Sequence, residues 1–304
     1  MESKHYIITG ASGFLGWSLL QELPQEAEAT ALYHSTNPAN SRAQARKIQL
    51  SDEKEVYSMV KKVSPQAIIH AAALSDPNAC QNNKEISQRI NVQSSELLAK
   101  ICADHDITFA FTSTDLVFDG KKSLYGEHDT TNPLSLYGEQ KVQAEEAILK
   151  AYPEASVFRL PLMFGESQGR CKNGLYEMLH QLKTGNELTL FSDEFRSMAR
   201  ARTIAKAIYQ LTGKLSGITH LGGKERISRY EYGEKVQKIF NFKEGNIRKC
   251  LRADIKMSAP RPADVSLDSS RALEAGYESK SVSEELKEIY QFIGPLAGQA
   301  PQEQ

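Results

Sequence analysis

Apolar residues along this chain come in short runs that alternate with stretches of helical periodicity. Tyr6, Ile7 and Ile8 form the first run, and Phe14, Leu15, Leu19 and Leu20 follow at helical spacing across a glycine-rich turn. Ala29 to His34 (ATALYH) reads as a second strand, Val56, Val60 and Val63 mark a helix, and Ala67 to Ala73 (AIIHAAA) reads as a buried strand. A long helix is expected from about Lys84 to His105, with Ile90, Leu97, Leu98 and Ile101 on one face. Ile107 to Ser113 (ITFAFTS) is the next strand. The loop-like stretch Leu116 to Leu136 then leads to a helix from near Tyr137 to about Ala151 and a strand at Ala155 to Leu160. This alternation predicts an α/β fold: a doubly wound parallel sheet with helices on both faces. Beyond Pro161 the order loosens. Helices are expected at Leu175–Lys183, Thr203–Thr212 and Tyr230–Phe240, and strands at Leu188–Phe191 and Ile218–Leu221. The polar end, Gly298 to Gln304, is expected to fray.

Composition narrows the classes. At 304 residues the chain can bury a large core, and 40% hydrophobic with 25% charged residues is the make-up of an ordinary globule. A net charge of −1 gives no electrostatic footprint for nucleic acid. No apolar run approaches the ~20 residues of a membrane span, and MESKHYIITG enters its first strand directly, so no signal peptide is expected. Cys80, Cys102, Cys171 and Cys250 have neither metal nor redox spacing and read as cytoplasmic thiols. The seven histidines form no paired motif, so no metal site is expected.

The candidate chemistry begins at the turn. Gly10, Gly13 and Gly16 are spaced G-x-x-G-x-x-G between strand and helix. Glycines in this context allow a sharp turn, close approach of backbone to a phosphate, and close packing of helix on sheet. The helix N-terminus adds free N–H groups for an anion. An acid at the end of the second strand would select NAD, and here the strand ends Tyr33-His34-Ser35, with Arg42 a short loop later. NADP(H) is therefore favoured, with NAD(H) left open and Arg42 either facing the 2′-phosphate or merely solvated. The small residues Ala71, Ala72 and Ala73 permit close approach of a ligand, whereas His70 reads as a core histidine.

Tyr137 and Lys141 (YGEQK) lie four apart on one helix and face the same way. A tyrosine has a reference pKa of about 10, and bringing it near 7 takes roughly 4 kcal/mol of differential stabilisation. A neighbouring ammonium works in that direction. Tyr57 and Lys61 repeat the spacing, but Tyr57 has no hydroxyl-bearing strand end just upstream, whereas Tyr137 follows Ser113-Thr114. Tyr57 is the surface-helix counterpart.

TGASGFLG, AIIHAAA, STDLVFDG, YGEQK and APRPADVSLDSSRALEAG, in this order, resemble an extended short-chain dehydrogenase/reductase. More narrowly, they resemble the dTDP-4-dehydrorhamnose reductase-like (sugar-nucleotide reductase) group, from Tyr6 to about Phe292. The resemblance implies a Rossmann-type domain over 1–163, completed by parts of 190–225, and a smaller, discontinuous substrate lobe mainly within 164–304. It implies Thr114, Tyr137 and Lys141 as the catalytic set, with Thr114 orienting the carbonyl, Tyr137 passing the proton and Lys141 binding the nicotinamide ribose and tuning Tyr137. Asn91 would support the active-site helix. Cofactor contacts are expected from Gly10, Ser12, Gly13, Phe14, Leu15, Gly16, His34, Arg42, Ala71, Ala72, Ala73, Tyr137 and Lys141.

Substrate contacts are expected from Arg196 and Arg261, because arginines suit a pyrophosphate. Arg200 and Arg202 are further candidates, each of these four being equally readable as a surface or ion-pair arginine. The chain departs from the group at Leu116, where an aromatic is usual, and at Ala263-Asp264-Val265, where an amide and a serine usually follow Arg-Pro. Its single tryptophan, Trp17, lies beside the turn and not in the lobe. The function so implied is NAD(P)-dependent reduction of a keto-sugar, such as the nucleotide-sugar dTDP-4-dehydrorhamnose, or of a related carbonyl, with a homodimer allowed. The alternatives are a nucleotide-sugar epimerase or dehydratase, and a non-catalytic NADP-binding regulatory subunit resembling the methionine adenosyltransferase beta subunit. Dehydratases usually carry a Glu after Thr-Asp, where this chain has Leu116.

Overall fold

The computed structural model describes residues 4–38, 40, 42–167, 173–243 and 245–294. Cys171 and the Gly298–Gln304 end lie outside the described residues. In chain order the first half runs β1 (His5–Thr9), α1 (Phe14–Gln21), β2 (Glu28–Tyr33), β3 (Ala43–Lys47), α2 (Glu53–Val63), β4 (Ala67–His70), α3 (Pro77–Asn82), α4 (Lys84–Gln88), α5 (Ser94–Asp104), β5 (Thr108–Thr114), α6 (Leu136–Ala151) and β6 (Ser156–Leu160). The rest runs β7 (Met163–Phe164), α7 (Gly174–Lys183), β8 (Glu187–Phe191), β9 (Phe195–Arg196), β10 (Ala199–Arg200), α8 (Ala201–Leu211), β11 (Gly217–His220), β12 (Ile227–Ser228), α9 (Arg229–Ile239), β13 (Asn246–Cys250), α10 (Ser270–Glu274) and α11 (Val282–Ile293).

Seven strands form one parallel sheet in the order β11, β6, β5, β4, β1, β2, β3. The inner strands are buried on both faces because helices cover both, which is why their sequences read as continuous apolar runs. On one face Leu15, Leu19 and Leu20 of α1 and Ile204, Ile208 and Leu211 of α8 pack on Tyr6, Ile8, Ile69 and Phe158. On the other, Val56, Val60, Leu98, Ile101 and Ile148 pack on Ile7, Ile68, Phe109 and Phe111. A separate core joins α7, α9 and α11 through Leu175, Met178, Leu179, Tyr232, Val236, Leu286 and Ile289. No described helix is long and apolar enough to cross a membrane.

The expected α/β doubly wound sheet is present, with two local differences. Strand β3 went unpredicted: as the edge strand, AQARK is exposed or half-exposed throughout and carries no apolar signal. The helix expected from Lys84 to His105 runs unbroken from Lys84 to Asp104, but with a π-helical turn at Arg89–Gln93 between α4 and α5. Strand order reverses between β4 and β1, and the crevice at the carboxyl ends of strands beside such a switch is where open α/β sheets bind ligands.

Gly16 fixes how α1 sits on this sheet. A Cβ there would fall on the Gly10 carbonyl oxygen and 2.6 Å from Ala11 Cα. Gly16→Ala gains about 1 kcal/mol of helix propensity but meets backbone that cannot turn aside, a clash of about 3 kcal/mol. Urea unfolding is expected to show a net loss of about 2 kcal/mol; a variant as stable as wild type would contradict this packing.

Candidate active site

Three strand ends converge in the crevice: the β1–α1 turn, Ala71–Ala73 after β4, and Thr114 at the end of β5. Gly10 has φ +65°, and a Cβ there would lie 2.7 Å from both Ala72 N and Ala72 Cα. Gly10 and Gly16 are thus demanded by the protein's own packing. Gly13 is different. It is exposed at the N-cap of α1, and a Cβ would approach only the Gly10 oxygen, at 3.2 Å. No side chain caps α1 and its first turn holds no acid, so the N-terminal N–H groups and the positive end of the helix dipole are available to an anion. Ser12 and Phe14 are half-exposed beside Gly13, whereas the Leu15 side chain is in the core, leaving its backbone to face outward contacts. His34 is exposed just past β2, and Ala71, Ala72 and Ala73 are half-exposed.

The Arg42 expectation is corrected. Its guanidinium donates to the carbonyl oxygens of Leu23 (2.7 Å), Pro24 (2.5 Å) and Gln25 (3.2 Å). Ala43 pairs with Ala29, near the start of β2, so Arg42 lies at the amino-terminal edge of the sheet, opposite the crevice. It is exposed, with its guanidinium tied to these carbonyls, and stands away from the crevice where a nucleotide ribose would lie.

Beneath the turn runs a buried relay. Ala72 N–H donates to Thr9 Oγ1 (3.1 Å), which lies 2.6 Å from His70 Nδ1, while His70 Nε2 lies 3.0 Å from Ser95 Oγ. The single Ser95 hydroxyl proton goes to the Asn91 carbonyl (2.8 Å). His70 Nε2–H must therefore donate to Ser95, and Nδ1 accepts from the Thr9 hydroxyl. Burial, aided by the Lys141 charge, lowers the His70 pKa to about 3, so the ring is neutral. Asn91, on the π-helical turn, accepts from Leu74 N–H (2.8 Å) and donates to Leu74 O (3.1 Å) and Gln140 Oε1 (2.9 Å). One amide thus ties the loop after β4 to α6.

Helix α6 starts at the exit of β5. Ser135 accepts from Gly138 N–H, and a Cβ on Gly138 would strike the Leu116 carbonyl and sit 2.8 Å from Pro133 Cβ. Gly138 lets the helix press there and sets Tyr137, 7% exposed, near Thr114, whose hydroxyl donates to Asp115 Oδ1 at 3.2 Å. Burial pushes the Tyr137 pKa above its ordinary value; Cys80 and Asp115 add to this and Thr114 opposes it. Lys141 Nζ donates to Thr112 O (2.7 Å) and lies 5.9 Å from the Tyr137 ring centre. Burial lowers the Lys141 pKa to about 7, against the pull of Glu145. The expected lowering of the tyrosine by this lysine is therefore not what sets the phenol in this arrangement. Ser113 faces away, donating to Glu145, which pairs with Arg159 at 2.7 Å. Tyr57 is 45% exposed and tilts against His105, just before the start of β5 and so at the opposite end of that strand from Thr114.

Arg196 is also corrected. It is 3% exposed, 3.6 Å from Asp115 and 3.4 Å from Glu194, and it donates to the carbonyls of Phe195 and Pro262. A guanidinium so engaged braces the β5 exit and is not presented to a substrate diphosphate. Arg200 pairs with Glu166 and Glu288, and Arg202 with Glu166 and Glu22. Arg261 remains half-exposed, its carbonyl held by Arg252. The sequence reading missed Asp115, whose Oδ2 is buried without a hydrogen-bond partner and whose pKa burial raises to about 6. It also missed Gly138, and Cys80, whose thiol donates to Leu74 O at 3.0 Å. The motifs STDLVFDG and YGEQK contain Asp115 and Gly138, but nothing in them shows burial or the approach of Leu116.

The sequence model of the RmlD substrate binding domain family matches residues 4–293. Methionine adenosyltransferase 2 subunit beta of Xenopus laevis is 29% identical over 283 residues, covering 90% of this chain and 83% of that protein. A probable low-salt glycan biosynthesis reductase, Agl14, of Haloferax volcanii is 28% identical over 269 residues, 86% of this chain and 89% of that one. Among solved structures, a hypothetical dTDP-4-dehydrorhamnose reductase from Sulfolobus tokodaii superposes with a TM-score of 0.80 at 31% identity, covering 91% of this chain and 98% of that one.

The His70 relay has a stability signature. Its pKa is lowered to about 3 in the fold from an ordinary value of 6.5. Between those values the unfolded chain holds a proton that the native state rejects, so stability from this group falls as pH drops below about 6.5. His70→Asn, less stable at neutral pH, is expected to show a shallower loss than wild type between pH 6.5 and 5 in urea titrations. Parallel curves for the two proteins would mean that His70 charges freely in the fold.

Proposed function

This chain belongs to the RmlD substrate binding domain family, and from that premise we propose that it is an NAD(P)-dependent reductase of a keto-sugar carried on a nucleotide, such as dTDP-4-dehydrorhamnose, or of a related carbonyl. The observation that carries the reading is the meeting of Thr114, Tyr137 and Lys141 beside the glycine turn, while the matching Tyr57–Lys61 pair stays on the surface. The exposed Gly13, the uncapped α1 and the small Ala71–Ala73 wall suit a dinucleotide, whose nicotinamide would supply a hydride when bound. With no acid at Tyr33–Ser35, NADP(H) is the favoured form.

Tyr137 is the proton donor. A phenol whose pKa is pushed up by burial stays protonated at neutral pH, the form a reduction needs. Its proton passes to the carbonyl oxygen as hydride reaches the carbonyl carbon, and Thr114 donates a hydrogen bond to that oxygen as charge develops, a role worth several kcal/mol when preorganised. Lys141, with its pKa near 7, is suited to returning a proton to the phenolate and to holding the nicotinamide ribose. Asn91 steadies α6 from behind. We assign the dinucleotide-binding part to 1–163 with the stretch around β11, and the substrate lobe mainly to 164–304, where Arg261 is the one of the four candidate arginines left to face an anionic group.

A second reading, a regulatory subunit that binds dinucleotide and turns nothing over, is favoured by the 29% identity to methionine adenosyltransferase 2 subunit beta. Leu116 in place of an acid weighs against dehydration. The variants Tyr137→Phe and Tyr57→Phe separate these readings in an NADPH-oxidation assay with nucleotide keto-sugars. Tyr137→Phe is expected to keep fold and cofactor affinity and lose about 10² to 10⁴ in turnover. Tyr57→Phe is expected to match wild type. Full activity in the Tyr137 variant would remove this site assignment, and cofactor binding without turnover by wild type across the panel would favour the regulatory reading.

A further inference from the structure

A loop from the second half of the chain reaches α3, beside the crevice, and one side chain there holds its tip. We infer that Asn78, on α3, is a positioning residue: it latches loop 252–261 over the mouth of the crevice, so that a nucleotide-sugar binds beneath a closed loop that carries Arg261. This rests on the reading that the crevice takes a nucleotide keto-sugar.

The loop is clamped at its base. Arg252 N–H donates to Asp193 Oδ1 (2.9 Å), its Nε to Asp193 O (3.1 Å), and the same guanidinium donates to Arg261 O (2.6 Å). The two ends are thereby held together, the form of a compact Ω-loop. Just beyond, Phe195 N–H donates to Ala263 O (2.7 Å). Pro262 presses on Gly120, in the loop leaving β5, where a Cβ on the glycine would come 2.7 Å from Pro262 Cβ. The base therefore stands at the exit of β5, past Thr114.

The tip reaches the exit of β4. Ala259 N–H (3.0 Å) and the Ser258 hydroxyl (2.8 Å) both donate to Asn78 Oδ1. A backbone N–H can only donate, so the amide oxygen is the atom that faces the loop. Asn78 is itself fixed in place. Asp76 caps α3 by accepting from Ala79 N–H (2.9 Å), and the Cys80 thiol donates to Leu74 O, which Asn91 also holds. The latch is thus fastened to the frame that steadies α6 and Tyr137, and the loop spans from the exit of β5 to that of β4. Little else secures the tip. Among the described residues, none of 252–261 belongs to an apolar core, and Asn78 is the one hydrogen-bond partner that 255–260 have outside the loop. Residues 253–256 and Ser258 are exposed. A loop with a clamped base and a tip held by one acceptor atom can swing without disturbing a core, as a lid over a ligand must.

Trypsin cleavage after the exposed Lys256, with steady-state kinetics, tests this on wild type, Asn78→Ala and Asn78→Asp. Asn78→Ala removes the acceptor. It is expected to be cut about tenfold faster than wild type and to raise KM for a nucleotide keto-sugar about tenfold, with kcat within about twofold and NADPH affinity unchanged. Asn78→Asp keeps an acceptor oxygen at the same place and is expected to restore both slow cleavage and the wild-type KM, which a mere packing role for Asn78 would not require. Binding of dTDP is expected to slow cleavage of wild type. Asn78→Ala cut at the wild-type rate, or cut faster with an unchanged KM, overturns the inference while leaving the reductase reading intact. So does Asn78→Asp that behaves as Asn78→Ala, or an active wild type whose cleavage dTDP leaves unchanged. Wild type that neither turns over a nucleotide keto-sugar nor is protected by dTDP overturns that reading and this inference together.

Discussion

Everything in this molecule hangs on a close backbone contact between two neighbouring strands. The Gly10 turn lies so near Ala71 and Ala72 that no side chain fits between, and Gly16 brings α1 onto the same turn. That contact aims the α1 N-terminus across the crevice. The relay from Ala72 through Thr9, His70 and Ser95 to Asn91 holds it from below, and Asn91 carries the constraint on to Gln140, next to Lys141. The proposed cofactor edge and the proposed proton-transfer edge are thus two ends of one hydrogen-bonded frame. Each polar group in it is satisfied by a partner of fixed direction, the condition under which a buried network specifies one geometry.

Burial then sets the chemistry. Desolvation disfavours whichever form is charged, so Tyr137 and Asp115 rise while His70 and Lys141 fall. The result is a neutral, protonated phenol beside an amine poised near pH 7. Elsewhere the interior keeps its charges paired. Arg159 lies on Glu145, Arg200 on Glu166 and Arg196 between Asp115 and Glu194, which is what a guanidinium removed from water requires. The second half of the chain is attached through such contacts: Glu285 of α11 accepts from Arg200 N–H and from the Thr203 hydroxyl at the start of α8.

What the sequence reveals follows from which forces leave a local trace. Buried parallel strands write themselves as apolar runs, so the sheet and its helices are legible, and with them the placement of Tyr137 after a strand end and of Tyr57 before one. Strand β3 leaves no trace, because AQARK is exposed at the sheet edge. The misplacement of Arg42 is a consequence of that omission: without β3, nothing tells which end of the sheet Arg42 occupies. Arg196 was misjudged for another reason. Its partner Asp115 is far away in sequence, and only the assembled fold shows that the guanidinium is committed. The influence of Lys141 on Tyr137 was overestimated because four-residue spacing gives a shared face but not the direction of a flexible ammonium, which turns to Thr112 O.

The central claim is that the frame delivers hydride and proton to one carbonyl. Its most direct test is isotopic. Wild-type protein is incubated with NADPH deuterated at the transferable position and a nucleotide keto-sugar, and the sugar product is weighed by mass spectrometry. The account predicts an alcohol product carrying one deuterium bound to carbon. Stoichiometric cofactor binding with no deuterium in any sugar product would contradict it, and would leave the molecule as a dinucleotide-binding protein without this reaction.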